Sequence, residues 1–191
     1  HILISAMHNL KYENIKLIIA GDGPLKQDLA NKARNLKNIQ FIGRVSDPYK
    51  FFNTISLLVV PSIREPLGNV CLEAGLCRVP VLAANVDGLP EIIENKISGE
   101  LIDATEEISI NTVQGAISLP EFVVNPVKGN LSAPKQINPS ILAKRILKLS
   151  SQDDKLKYYS NELNKKVKNK FSIDRYRREL HKMYREIDIK G

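Results

Sequence analysis

Three observations predict an α/β fold built on a parallel sheet. Short apolar runs without polar alternation recur at 15–20, 39–42, 57–61, 79–84 and 99–102. Segments with helical spacing of apolar residues separate them. The first two runs stop at glycines, Gly21 and Gly43. Strands that are apolar on both sides and alternate with helices imply a sheet covered on both faces, joined by right-handed crossovers.

Each element has its own warrant. Residues 1–10 place Ile2, Leu3, Ala6, Met7 and Leu10 at helical spacing. The run 15–20 (IKLIIA) is a buried strand, ended by the Gly21-Asp22-Gly23-Pro24 turn. Residues 25–36 read as helix and 39–42 (IQFI) as strand. Residues 47–55 read as helix, with Pro48 at the first turn. Strand 57–61 (LLVVP) leads to helix 69–77, strand 79–84 (VPVLAA), short helix 89–95 and strand 99–102. The layout is doubly wound and Rossmann-like. Residues 104–137 break it with Pro120, Pro126 and Pro134 and little periodicity, and read as an inserted loop or hairpin, with structureless filler the plainest expectation. Asn138-Pro139 reads as an N-cap and first-turn proline, opening helices at 139–150, 153–169 and 173–188. The last carries Ile173, Tyr176, Leu180, Met183, Tyr184 and Ile187 on one face, a stripe that more often marks core than a cofactor box, and that should be an exposed apolar face if this helix packs on another domain.

Composition excludes several classes. The chain has 191 residues, 43% of them hydrophobic, which suits one domain with a sizeable core. No apolar run reaches the length of a membrane span. Cys71 and Cys77 are too close and too isolated for a disulfide framework, so a reducing compartment is expected. The histidines, His1, His8 and His181, are scattered, and no metal-ligand cluster or cofactor is expected. Net charge is +7, and it sits in the tail. Residues 144–191 hold 15 Lys/Arg against 7 Asp/Glu, and the remainder is near neutral. Solvated helix faces account for this, with peripheral contact to an anionic membrane the best functional version. Nucleic acid is not expected, because no recognition motif accompanies the charge.

The chemistry concentrates in 61–75 (PSIREPLGNVCLEAG). It leaves the carboxyl end of a strand, where open α/β sheets bind ligands. It then enters a helix through a glycine turn. The amides of Gly68, Asn69 and Val70 would face that opening and suit a phosphate or diphosphate. Glu65 and Glu73 flank this anion site, eight positions apart. An isolated pair of glutamates is more often solvated or salt-bridged. Two carboxylates beside a phosphate also repel it unless they contact hydroxyls instead. That requirement points to a nucleotide-sugar.

The stretch resembles the E-x7-E motif of retaining GT-B glycosyltransferases of the family 4 type (glycosyl transferases group 1). The resemblance extends through LIIAGDGP (17–24), IQFIGRV (39–45), LVVPS (58–62), VPVL (79–82) and DGLPEIIENKISG (87–99) to the terminal helices. It covers nearly the whole chain except 104–137. It implies that Glu65 contacts the transferred sugar as the catalytic-site acid. Backbone groups of Leu67, Gly68, Asn69 and Val70 would hold sugar and diphosphate. Glu73 would bind the ribose hydroxyls, Arg44 and Val45 would frame the base, and Gly21 would let backbone approach the nucleotide closely. The implied reaction moves a sugar from a nucleoside-diphosphate sugar, UDP first among them, to an acceptor hydroxyl with retention. The implied setting is cell-envelope polysaccharide or glycolipid synthesis, cytoplasmic or peripheral at the inner membrane face. No metal and no cofactor are implied.

The sequence departs from the family pattern in three places. Leu67 stands where the family often has Phe. Arg78 stands where it usually has Gly, which costs on the order of 1 kcal/mol if that position needs positive φ. The third departure is larger: the chain starts inside the first helix of this half. The resemblance therefore implies that the first strand, with its diphosphate-neutralising Arg and Lys, and the N-terminal acceptor domain are absent. The expected organisation is one domain over 1–191: an α/β core at 1–103 lacking its first strand, an insertion at 104–137, and C-terminal helices at 138–191. The sheet is expected to show a gap, an unusual pairing or a missing partner, and a poor affinity for nucleotide and an inactive fragment are expected. The rival readings are an inactive nucleotide-binding or oligomerisation module, a nucleic-acid binder using the tail, and a nucleotide-sugar epimerase.

Overall fold

A computed structural model of the chain describes residues 1–108, 116 and 118–188. The elements follow the expected order. They are α1 (Ile2–Asn9), β1 (Leu17–Ala20), α2 (Lys26–Ala33), β2 (Ile39–Gly43), α3 (Pro48–Phe52), β3 (Leu58–Val60), α4 (Asn69–Leu76), β4 (Val81–Ala84), α5 (Leu89–Ile92) and β5 (Glu100–Ile102). A hairpin, β6 (Val123–Asn125) and β7 (Asn130–Ser132), precedes α6 (Pro139–Ser150), α7 (Asp153–Lys170) and α8 (Ile173–Asp188).

The α/β class is as predicted, but the sheet is not continuous. β1 pairs β2 in parallel, and β3, β4 and β5 form a second parallel sheet in that order. β1 and β3 do not pair. Leu17 and Ile18 of β1 and Leu58 and Val59 of β3 instead line one cavity of about 520 Å³, roofed by Leu3 and Met7 of α1. The two sheets are thus separated by a gap. It also explains the uneven burial. All four residues of β4, between two partners, are buried, whereas those of β1 are half-buried or exposed.

Several elements are shorter than their apolar patterns. The strand expected over 79–84 begins at Val81 because Pro80 has no N–H for the ladder; its carbonyl still accepts from Leu58 N at 3.0 Å. The helix expected over 89–95 stops at Ile92. Ile93 is extended, and Ser98 Oγ takes the Glu94 amide into a turn. The cap read at Asn138 holds: it accepts from Ser140 N and Ile141 N ahead of Pro139. Asp47 adds a cap that the sequence reading did not name, accepting from Lys50 N. Arg78 does take a left-handed φ of 57°, and its guanidinium donates to Asn161 Oδ1 on α7 at 2.6 Å.

Two expectations need correction. The 104–137 segment is not filler along its described length. Glu106 and Gln136 exchange both backbone hydrogen bonds at its base, and β6–β7 forms an antiparallel hairpin with Val123 in the core. Residues 109–115 and 117 of that expectation lie outside the described residues. For the apolar stripe of α8, the core expectation is the one corrected, and the alternative of an exposed face is what the structure has. Ile173, Tyr176, Met183, Tyr184 and Ile187 are all more than half exposed. The described parts of α8 have no facing element to bury against, so periodicity alone could not place them inside. Among the described residues no helix is long and apolar enough to cross a membrane.

The core lies between the three-stranded sheet and the terminal helices. α1 packs Ile4 and Met7 toward α6, and the α4–α7 contact is close because Gly75 lets Leu163 and Val167 approach. One charged group is buried in this core among the described residues. Glu100 of β5 is 1% exposed; its carboxylate accepts from Tyr159 Oη at 3.0 Å and Lys155 Nζ at 2.8 Å, and pairs with Arg145.

Candidate functional site

The parallel strands place their carboxyl ends on one side of each sheet; the loops leaving those ends carry Gly21, Arg44, Val45, Glu65, Leu67 and Gly68, and the first two turns of α4 carry Asn69, Val70 and Glu73. After β3, residues 61–68 turn over the edge into α4. Gly68 is the N-cap of α4, with φ 95°. A Cβ there would also lie 2.8 Å from Leu89 Cδ2, so this position excludes other residues on two grounds. The Gly68 carbonyl already starts the helix by accepting from Cys71 N at 2.8 Å. The amides of Gly68, Asn69 and Val70 carry no hydrogen bond among the described residues. No side chain caps the helix, and its first turn holds no acid. An eight-residue helix therefore presents its positive end and free donors at the sheet edge.

The two glutamates flank this end. Glu65 is half-buried in the loop and Glu73 is exposed on α4. Neither carboxylate takes a hydrogen bond or ion pair among the described residues, which removes the salt-bridge alternative there. Their field reaches the helix interior. Burial, with the Glu65 charge adding to it, pushes the Cys71 thiol up to about 12. Cys71 is therefore an inert packing residue. Leu67 and Asn69 are exposed and Val70 is half-buried.

Gly21, Arg44 and Val45 assemble at the edge of the other sheet. Gly21, at φ 127°, donates its N–H to Gly43 O at 2.6 Å, closing the turns after β1 and β2. Arg44 is exposed and Val45 half-buried. The predicted residues thus fall into two groups, separated by the gap between β1 and β3. The cavity in that gap is lined by none of them.

One participant escaped the sequence reading. Asp87 and Gly88, after β4, hold both backbone groups of Glu65. Asp87 Oδ2 accepts from Glu65 N at 2.9 Å, and Gly88 N donates to Glu65 O at 3.2 Å. Asp87 also holds both backbone groups of Val124 in β6. Its Oδ1 accepts from Val124 N at 2.7 Å and its own N–H donates to Val124 O at 3.2 Å. Asp87 takes φ 46°, a conformation Asp tolerates better than most residues. The Asp-Gly dipeptide was the available signal, and it reads as a turn without saying what the carboxylate holds.

Residues 1–112 match the family model described as Glycosyl transferases group 1. The chain belongs to this family. It is 30% identical over 190 residues to the uncharacterized glycosyltransferase MJ1178 of Methanocaldococcus jannaschii, covering 97% of this chain and 44% of that protein. It is 26% identical over 175 residues to the capsular polysaccharide biosynthesis glycosyltransferase CapM of Staphylococcus aureus, covering 90% of this chain and 38% of CapM. Among solved structures, Anabaena Alr3699/HepE in complex with UDP-glucose superposes with a TM-score of 0.71 at 19% identity, over 97% of this chain and 44% of that one. This group 1 glycosyltransferase chain therefore has the fold of these enzymes and spans less than half the length of each of the three.

Proposed function

We propose that residues 1–191 form the donor-binding half of a retaining glycosyltransferase of the family 4 type. It would move a sugar from a UDP-sugar to an acceptor hydroxyl in cell-envelope polysaccharide or glycolipid synthesis. The observation that carries this reading is the free N-terminal end of α4 with two unpaired glutamates on either side of it. In this reading the amides of Gly68, Asn69 and Val70 and the backbone of Leu67 receive the diphosphate and sugar. Glu73 accepts from the ribose hydroxyls, and Glu65 accepts from hydroxyls of the sugar. Arg44 and Val45 frame the base, and Gly21 admits the nucleotide to the β1 edge. Catalysis is then positioning together with stabilisation of the departing diphosphate by fixed dipoles. CapM and the UDP-glucose complex of HepE lend support by similarity.

The domain assignment belongs to the same proposal. Residues 1–103 are the nucleotide-binding core, and the slot between β1 and β3 has room for a further parallel strand. Residues 138–191 are the terminal helices, and the acceptor is held by a separate N-terminal domain. The chain by itself is expected to be inactive. It would work in the cytoplasm or at the inner membrane face.

Thermal melts of the chain with UDP, GDP and ADP test this. UDP is expected to raise the Tm selectively, by about 4–10 °C at a hundredfold excess over Kd. Glu73→Ala is expected to abolish the rise. Equal shifts with all three diphosphates, or a Glu73→Ala shift like wild type, would contradict the assignment. A folded chain with no shift would leave the inactive-module reading or an indispensable first strand. Joining an apolar strand ahead of His1 separates those two, since restored binding supports the second.

A further inference from the structure

Asp87 does more than close a turn. Its two carboxylate oxygens accept from amides in two different segments, Glu65 N at 2.9 Å and Val124 N at 2.7 Å. With the amides of Asp87 and Gly88 donating to Val124 O and Glu65 O, the dipeptide holds all four backbone groups of those residues. Both are otherwise poorly anchored. Glu65 lies in a loop outside any ladder, and Val124 sits in a three-residue strand whose ladder partner is another three-residue strand. The hairpin is therefore fastened to the Glu65 loop through one dipeptide, in which the Asp87 side chain supplies both acceptors and the two backbone N–H groups supply the donors.

We propose that Asp87 is a positioning residue that sets the place of Glu65 and couples it to the β6–β7 hairpin, so that the hairpin governs how firmly the donor sugar is held. The sugar part of this proposal rests on the donor-site reading above; the coupling does not. Two substitutions probe it. Asp87→Gly removes both acceptors while keeping a residue that suits φ 46°. Asp87→Asn keeps the shape and the tolerance of that φ, but an amide offers one acceptor oxygen and turns an NH2 toward the other N–H. Asn should therefore restore one link and leave the other broken.

Amide hydrogen exchange, read residue by residue, tests the coupling without any ligand. In Asp87→Gly, exchange at Glu65 and Val124 is expected to quicken together, by about tenfold or more, while β4 amides keep their protection. In Asp87→Asn, one of the two should quicken and the other should not. Unchanged exchange at both would overturn the proposal, as would equal loss of protection across β4. Titration with UDP and with UDP-glucose then tests the sugar part. Asp87→Gly is expected to weaken UDP-glucose about tenfold and UDP by less than about twofold, because Glu65 and not Glu73 is displaced. Equal weakening of both ligands would assign Asp87 a merely structural role and overturn the positioning claim. If the wild-type chain binds neither ligand, the titrations are repeated with an apolar strand joined ahead of His1; failure there too overturns the donor-site reading and with it the sugar part, while exchange decides the coupling in either case.

Discussion

Replacing Glu100 with alanine is expected to destabilise the chain by about 3 kcal/mol, near the lower end of the cost of breaking a buried ion pair. The carboxylate is 1% exposed, and three donors from α6 and α7 converge on it. Its removal leaves the buried Tyr159 hydroxyl without its acceptor and two cations facing a cavity. Arg145 and Lys155 are each about a third exposed and can turn to water, which keeps the cost from the upper end. For a chain of this length the Tm should fall by about 6–12 °C. A change below about 0.5 kcal/mol by urea denaturation would contradict this account. Glu100→Gln should fall between, because it keeps an acceptor but not the countercharge.

The same cluster predicts a pH dependence. Desolvation pushes the Glu100 carboxyl upward, but hydrogen bonds from Lys155, Arg145 and Tyr159 outweigh it and hold it below the ordinary value. A carboxyl depressed in the folded state contributes stability that is complete above its unfolded value. That stability is lost as pH falls from about 4.5 through the folded value. Lys155 is raised, chiefly by its hydrogen bond to Glu100, so its contribution is complete below about pH 10 and is lost as pH rises through the folded value. In Glu100→Ala the acid limb of the stability profile should flatten.

Gly88→Ala is expected to cost about 3 kcal/mol and to weaken donor binding more than tenfold. Gly88 has an ordinary φ of −82°, so the penalty is steric. A Cβ would lie 2.3 Å from Pro66 O and 3.1 Å from Leu67 Cα. The obstacle is backbone and cannot rotate away. The loop must move, and the Gly88 N–Glu65 O hydrogen bond goes with it. Gly23→Ala is the control. Its Cβ meets nothing within 4 Å, so it should fall within about 0.5 kcal/mol of wild type. Equal behaviour of the two variants would show that the Gly88 contact does not constrain the loop.

The elements of this chain were legible because strand and helix are local properties. Apolar runs gave β1 to β5, the first two ended by glycine and the third by proline, and Asn138-Pro139 marked the start of α6. The E-x7-E segment was legible for the same reason. A strand end, a glycine turn and a helix start lie within fifteen residues, so the unbonded amides of Gly68, Asn69 and Val70 follow from local geometry alone.

What lay beyond the sequence were the pairings between distant segments. Periodicity cannot say which strands touch, so the break between β1 and β3 was visible only as an expected gap. Nor can it say what covers a helix face, and the stripe of α8 is exposed for want of a facing element. The Asp87 link spans 22 residues to Glu65 and 37 to Val124. A side chain's partners at such range are set by how the chain packs, and a single aspartate beside a glycine carries no local mark of them. The acid in β5 is the same case. Glu100 breaks an apolar strand in the sequence, and only the arrival of α6 and α7 over that strand supplies the three donors that allow a carboxylate to be buried there.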